Sequence, residues 1–242
     1  MKTEEILQLQ QKLRTTLLEN GVADVGFCAL KPADLTQMER DGFGAGGCRY
    51  GMAIAVRLSD AVVEEIDTAP THTYFHHYRT VNTFIDQMVL QAGMMLAQHG
   101  FRYIPVAASQ SINKDGWNYQ GRFSHKQLAC RCGLGTIGKS ALFLHRAHGP
   151  RVRLGSLFTD CPFPDQPVTP ESICGDCSLC AEACPAGAIS GKPWREDIPR
   201  EAMFDPKKCS RHMKTAYQHI GRGAVCGICM RVCPRYQNPE QK

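Results

Sequence analysis

Apolar residues recur at every third or fourth position in two long stretches of the chain. In residues 3–19 this stripe runs from Ile6 to Leu17, and in residues 72–99 it continues until Gly100. A period near 3.6 residues places such side chains on one face of an α-helix. The pattern therefore predicts two amphipathic helices, each packing its apolar face on a core.

Shorter apolar runs separate these helical patterns and predict the strands of a sheet. Runs of this length with few charges are typical of strands buried in a sheet. A short helix is also predicted at residues 61–66. Strands that alternate with helices indicate an α/β domain. The predicted strands are residues 22–30, 52–56, 101–108 and 151–159.

Two further stretches lack these periods. Residues 109–128 are polar and irregular, and long connections in compact domains are often binding segments. A plain surface loop is the alternative interpretation. Residues 133–140 are rich in glycine, which lets the backbone approach a ligand closely and present N–H groups to an anion. The glycine spacing is not that of a Walker motif.

The last third of the chain holds two regularly spaced cysteine runs. Each run ends in Cys-Pro, and Cys209 lies between them. Together they supply eight thiols, the number that two [4Fe–4S] clusters need. The runs are Cys174-x2-Cys177-x2-Cys180-x3-Cys184-Pro185 and Cys226-x2-Cys229-x3-Cys233-Pro234.

The first run has the bacterial ferredoxin spacing, in which the fourth cysteine ligates the other cluster. Structural zinc sites usually show two separated CxxC pairs, and a disulfide framework suits a short secreted chain. The clusters are therefore the favoured interpretation. Crossed ligation predicts a first thiol set of Cys174, Cys177, Cys180 and Cys233, and a second thiol set of Cys184, Cys209, Cys226 and Cys229.

The composition is that of a globular protein with a modest positive charge. Hydrophobic residues make up 43% and charged residues 21% of the 242 positions. No apolar run reaches the length of a membrane span, and residues 1–5 do not resemble a signal peptide. Thirteen cysteines then point to metal ligation in a reducing, cytoplasmic location. The net charge of +5 permits an anionic partner without demanding nucleic acid.

The order of these motifs resembles that of the epoxyqueuosine reductases and their relatives. The resemblance covers about residues 50–235, and the reductive dehalogenases share its general plan. It rests on the glycine-rich segment followed by the double cluster signature. The matching residues are His125-Lys126-x3-Cys130-x2-Gly133-Leu134-Gly135-Thr136-Ile137-Gly138-Lys139-Ser140-x-Leu142, then Gly155-x2-Phe158-Thr159-Asp160, and the two cysteine runs.

The resemblance implies a fold and a set of cofactors. Residues 1–165 would form a nitroreductase-like, cobalamin-binding α/β domain, and residues 166–242 a ferredoxin-like module with two [4Fe–4S] clusters. In the family, electrons pass through the clusters to cobalamin, which then acts on the substrate. The glycine-rich segment would lie against the corrinoid. The implied contacts are Gly133, Leu134, Gly135, Ile137, Gly138, Lys139 and Ser140.

The proton donor is the point at which this chain departs from the family. The epoxyqueuosine reductases carry an aspartate in a Val-Asp-Ser-Ala-Pro-like stretch, and the corresponding residues 105–109 contain no acid. They also continue, beyond the point that corresponds to Lys242, into a helical-repeat domain that helps hold tRNA. Histidine titrates near neutral pH, and tyrosine can protonate a nearby anion. The candidates for proton donation are Tyr119, His125 and Asp115.

Three functions follow as expectations. The first is a cobalamin-dependent iron–sulfur oxidoreductase that reduces a small molecule or a modified nucleoside, with ferredoxin or flavodoxin as electron donor. The second is an electron-transfer protein or corrinoid reductase that serves a partner corrinoid protein. The third is an epoxyqueuosine reductase acting on tRNA, which predicts salt-dependent tRNA binding. No membrane partner is expected.

Overall fold

The two helices predicted from apolar periodicity are present as α1 and α4. The computed structural model describes residues 2–40, 46–112, 116, 119–164 and 173–235. The helices are α1 Thr3–Glu19, α2 Pro32–Arg40, α3 Asp60–Glu64, α4 His72–Gln98, α5 His125–Arg131, α6 Leu179–Glu182, α7 Arg200–Met203, α8 Pro206–Ala216 and α9 Ile228–Arg231. The strands are β1 Asp24–Ala29, β2 Tyr50–Arg57, β3 Tyr103–Val106, β4 Gly135–Ile137, β5 Phe143–His145 and β6 Val152–Thr159.

The chain folds into two compact units, and each is built from separate segments. The first unit comprises Met1–Val56, Asn82–Leu134 and Arg153–Thr169. Residues 57–81 and 135–152 join the cysteine-bearing segment in the second unit. Since the units interleave along the chain, the single boundary near residue 165 stays a prediction. The mixed α/β class is confirmed.

The first unit is centred on a four-stranded sheet with the order β1-β2-β6-β3. Strands β1 and β2 pair antiparallel, with Asp24 opposite Ala55, and β3 and β6 pair antiparallel, with Tyr103 opposite Thr159. The middle residues of β1, β2 and β6 are nearly all buried. This matches the near-continuous apolar runs seen in the sequence, because strands covered on both faces need few polar positions.

Helix α4 lies very close to this sheet at Gly155. A Cβ atom at position 155 would come within 2.6 Å of the Ile85 side chain and 2.7 Å of the Val89 side chain. Only the absence of a side chain allows this approach. Gly155, part of the matching motif, therefore serves the packing of α4 on β6.

The second unit combines a small hairpin with the cysteine-bearing segment. Strands β4 and β5 pair antiparallel, with Thr136 opposite Leu144. The buried Arg151 side chain donates to Asp60 across 3.0 Å and to Glu64 across 3.1 Å. Both acids lie on α3, which packs against α9. This ion pair therefore holds α3 in place, and α9, which contains Cys229 of the second run, packs against α3.

Two predicted segments need correction, and two of the longer helices were not predicted. The irregular segment 109–128 already contains the start of α5, because the Ser124 side chain accepts the N–H of Gln127 across 3.3 Å and caps that helix. Residues 133–140 contain strand β4. Helices α2 and α8 were not predicted, since neither has a long apolar stripe; α8 is mainly polar and basic. In the described residues, no helix is long and apolar enough to cross a membrane.

Candidate iron–sulfur centre

The first thiol set lines a single cavity in the second unit. The cavity is bordered by Cys174, Cys177, Cys180 and Cys233, together with the cationic residues Lys139 and Arg235.

Local turns bring the first three of these thiols to one side of the backbone. The N–H of Cys177 donates to the carbonyl of Cys174 across 3.1 Å. The carbonyl of Ser178 then accepts the N–H of Ala181 across 2.8 Å, which starts the short helix α6 that contains Cys180. The first turn fixes the spacing of Cys174 and Cys177, and the second begins the helix that carries Cys180.

Cys233 reaches the same cavity from the other cysteine run. Burial raises the pKa of the Cys233 thiol, and the nearby Cys174, Cys180 and Cys177 thiols raise it further. Burial also raises the pKa of Cys180, with additional contributions from Cys174 and Cys177. These mutual effects place the four sulfur atoms in one neighbourhood, although they lie up to 59 residues apart in the sequence.

The second thiol set also converges. Burial raises the pKa of Cys209 to about 11, and the Cys226 and Cys184 thiols contribute to the increase. Burial raises the pKa of Cys229 in the same way, with Cys226, Cys209 and Cys184 adding to it. Cys180 of the first set also contributes to this shift. The two thiol sets are therefore neighbours within the second unit.

The raised pKa values define what this site requires chemically. Iron binds thiolates, and a thiol with a raised pKa stays protonated at neutral pH. Bound cations reverse this preference and deprotonate a coordinating thiol. In the described part of the chain, no group of three or more His, Cys, Asp or Glu side chains is arranged to hold a metal ion. Four thiols that line one pocket are a donor set that fits a [4Fe–4S] cluster, whose irons each take one thiolate.

The glycine-rich segment is buried, and each of its three glycines has a packing role. Gly133, with φ of +73°, ends α5: its N–H bonds to Cys130 and that of Leu134 to Ala129, both across 3.0 Å. This is the left-handed residue that commonly terminates a helix. A Cβ at Gly135 would come within 2.1 Å of the Leu144 carbonyl oxygen. The expectation that this segment presents free N–H groups is therefore wrong at Leu134.

Gly138 and Lys139 continue the segment into the iron–sulfur site. A Cβ at Gly138 would lie 2.7 Å from the Leu144 side chain and 3.3 Å from the Cys174 sulfur. The Lys139 N–H donates to that sulfur across 3.5 Å, and the Lys139 Nζ donates to the Cys177 carbonyl across 3.1 Å. Ser140 is buried beside them. Sequence reasoning named Lys139 for a different cofactor and missed this contact, for which the sequence holds no signal.

His125 is held by two hydrogen bonds in the first unit. Its Nε2 lies 3.1 Å from the Ala107 carbonyl, which can only accept, so Nε2 donates. Its Nδ1 lies 2.7 Å from the Ser156 hydroxyl and therefore accepts in the neutral ring. Burial lowers the pKa of His125 to about 4. At neutral pH the ring is uncharged and both nitrogens are engaged, so its role as a proton donor stays a prediction.

The other two proton-donor candidates are Tyr119 and Asp115. Tyr119 has φ of +56°, a left-handed conformation uncommon for a residue with a side chain, and it is half-buried. Its role as a proton donor stays a prediction. Asp115 lies outside the described residues. The carboxylate that the structure does place beside residues 105–109 is Asp86 of α4, which accepts the N–H of Ala108 across 2.8 Å.

Comparisons with known proteins agree with this centre. Residues 173–236 match the family described as a 4Fe-4S double cluster binding domain. Epoxyqueuosine reductase from Pseudomonas aeruginosa is 34% identical over 126 residues, which cover 47% of this chain and 32% of the relative. Epoxyqueuosine reductase from Synechococcus sp. (strain RCC307) is 30% identical over 177 residues, which cover 66% of this chain and 54% of the relative. The resemblance seen in the sequence is confirmed. Over the matched residues this chain is similar to epoxyqueuosine reductases.

Solved structures extend this likeness to the fold. Epoxyqueuosine reductase from Bacillus subtilis superposes with a TM-score of 0.62 at 20% identity, covering 96% of this chain and 66% of that one. The catabolic reductive dehalogenase NpRdhA gives a TM-score of 0.71 at 18% identity, covering 93% of this chain and 31% of that one. The predicted fold class is therefore confirmed. This chain spans about half, or less, of the length of the curated relatives it matches.

Proposed function

We propose that this chain is a cobalamin-dependent iron–sulfur oxidoreductase. Two [4Fe–4S] clusters would relay electrons to a corrinoid for reduction of a small molecule or a modified nucleoside. The observation that carries the proposal is the convergence of eight cysteines into two neighbouring sets, one of which lines a single pocket. The match to a double cluster family over residues 173–236 supports the same assignment.

The first and second thiol sets would each hold one cluster. The clusters supply one-electron transfer when bound. The chain's own residues position and tune them: Lys139 donates to the first set, and the N–H of Ala188 donates to the Cys184 sulfur across 3.4 Å. Such hydrogen bonds to ligating sulfurs are among the factors that set the reduction potential of a cluster.

Corrinoid dependence rests on the fold. A reductive dehalogenase whose structure suggests a mechanism for B12-dependent dehalogenation superposes on this chain with a TM-score of 0.71 at 16% identity. The glycine-rich segment gives no open cradle, because the space beside Gly135 and Gly138 is filled by Leu144 and Cys174. Direct corrinoid contacts by this segment therefore stay predictions.

The substrate class is indicated by the relatives. The curated relatives are epoxyqueuosine reductases, and one solved relative, with a TM-score of 0.61, is bound to an epoxyqueuosine-modified tRNA stem loop. A modified nucleoside in RNA is therefore the first substrate to test. Reduction needs a proton as well as electrons, and Asp86 is the described carboxylate that contacts residues 105–109.

Anaerobic reconstitution tests the proposal. We expect about eight irons per chain, as two [4Fe–4S] clusters require, and a change in the cobalamin spectrum on binding and reduction. An iron content of about four would remove the two-cluster relay. Unchanged cobalamin spectra would contradict the proposed dependence on a corrinoid. Turnover of an epoxyqueuosine-modified stem loop distinguishes the enzyme from an electron carrier that serves another corrinoid protein.

A further inference from the structure

Helix α8 has two different faces. Lys207, Arg211 and Lys214 are exposed and recur at intervals of four and three residues, so they project from one side of the helix. Lys208 is exposed beside them. The other side carries the half-buried Cys209 of the second thiol set, whose neighbour Ser210 is buried. We call the exposed side, Lys207, Lys208, Arg211 and Lys214, the basic face.

The positive charge of the chain is concentrated around this helix. Residues 200–222 contain six Lys or Arg and two acids, in a chain whose net charge is +5. Both acids are engaged locally. Glu201 pairs with Arg200 across 2.7 Å, and Asp205 caps α8 by accepting the N–H groups of Lys207 and Lys208 across 2.9 Å. The basic face therefore presents a net positive field to an approaching molecule.

This face lies over the second thiol set. Cys209 sits between Lys208 and Ser210 on α8, and an α-helix with its side chains is about 10–12 Å across. A molecule docked on the basic face would thus be about one helix diameter from a cluster ligand. Electron transfer slows steeply with distance, so the position favours a redox partner.

We propose that the basic face is the docking site of an acidic one-electron carrier protein of the flavodoxin or ferredoxin class. The carrier would reduce the cluster held by Cys184, Cys209, Cys226 and Cys229. In this step one electron leaves the reduced carrier, the cluster gains it, and no bond forms or breaks. The inference rests on the iron–sulfur ligation proposed above. A nucleic acid would also match the charge, but it would gain nothing from a cluster beneath the helix.

Stopped-flow reduction of the reconstituted full chain by reduced flavodoxin tests this inference. The variant is Lys207→Glu with Arg211→Glu, which reverses two charges of the basic face. The matched control is Lys12→Glu with Lys192→Glu, which makes the same change at exposed positions elsewhere. Electrostatic steering changes association rates by tenfold or more. We expect the second-order rate at low salt to fall about tenfold in the variant and to stay unchanged in the control.

Two control measurements accompany this experiment. The wild-type rate should fall as salt is added, while reduction by dithionite, a small reagent, should be equal in all three proteins. An unchanged flavodoxin rate in the face variant overturns the inference. So does loss of tRNA binding with an unchanged flavodoxin rate, because the face would then be a nucleic-acid surface. An iron content of about four in the wild type would instead contradict the proposed function.

Discussion

The backbone N–H of Lys139 donates to the sulfur of Cys174 across 3.5 Å, and its ammonium group donates to the carbonyl of Cys177 across 3.1 Å. A residue of the glycine-rich segment thus touches the first thiol set at two points. A positive charge and an N–H donor beside a cluster stabilise its reduced, more negative state. Lys139 is therefore placed to set the potential of the first cluster.

Replacing Lys139 by Met should make the first cluster harder to reduce. The backbone N–H remains in this variant, so only the ammonium group is lost. We expect the midpoint to fall by about 60 mV, a tenfold change in a one-electron equilibrium. A redox titration followed by electron paramagnetic resonance measures it, with the second cluster as internal reference. Lys139→Arg keeps the charge and should retain most of the potential; an unshifted Met variant would contradict the assignment.

Crossed ligation can be tested by combining cysteine substitutions. Cys184→Ala with Cys209→Ala removes two ligands of the second thiol set, so one cluster should remain, with about four irons per chain. Cys233→Ala with Cys209→Ala removes one ligand from each set and should lower the occupancy of both clusters. Iron analysis after anaerobic reconstitution separates the cases. The reverse pattern, with about four irons left in the Cys233→Ala, Cys209→Ala variant and both clusters affected in the Cys184→Ala, Cys209→Ala variant, would show that the sets are not crossed.

Gly135→Ala distinguishes packing from cofactor contact in the glycine-rich segment. The new Cβ would lie 2.1 Å from a backbone oxygen of Leu144, which cannot move without disturbing the β4–β5 pairing. Overpacking of this kind costs about 1–3 kcal/mol or more, so we expect the free energy of unfolding to fall by about 3 kcal/mol. Gly138→Ala meets mainly side-chain atoms and should cost less. Full stability with lost cobalamin binding would instead favour a corrinoid contact.

His125 should make stability depend on mildly acidic pH. Its folded pKa of about 4 lies below the ordinary value of 6.5, because burial disfavours the charged ring. The unfolded chain therefore takes up the proton first as the pH falls. This contribution is complete above about pH 6.5 and is lost progressively towards pH 4, by up to about 3 kcal/mol.

Denaturant unfolding at pH 7.5 and pH 5.5 measures the His125 effect. The variant His125→Gln does not titrate in this range. It should be less stable than the wild type at pH 7.5, and the difference should shrink at pH 5.5. A difference that is the same at both pH values would show that the ring is not the titrating group.

Local features of the sequence were sufficient for much of the fold. The apolar period in residues 3–19 predicted α1 over its observed length, and the pattern in residues 72–99 predicted α4 to within one residue of Gln98. Both predictions succeed because the buried face of an amphipathic helix is visible in the sequence as apolar residues at helical spacing. Helix α8 was missed for the same reason, since its exposed face is basic and Ser210 is its one buried residue, so it has no apolar stripe.

The ligand count of the iron–sulfur centre also came from the sequence alone, because CxxCxxC spacing is set by short turns that need no distant partner. The environment of the centre could not be predicted from the sequence. That Lys139 meets Cys174, that Leu144 fills the space beside Gly135, and that His125 is neutral all depend on contacts between segments distant in the chain. Periodicity and spacing report only on neighbours in sequence. Which side chain shields, charges or hydrogen-bonds a sulfur atom is decided when the segments pack together.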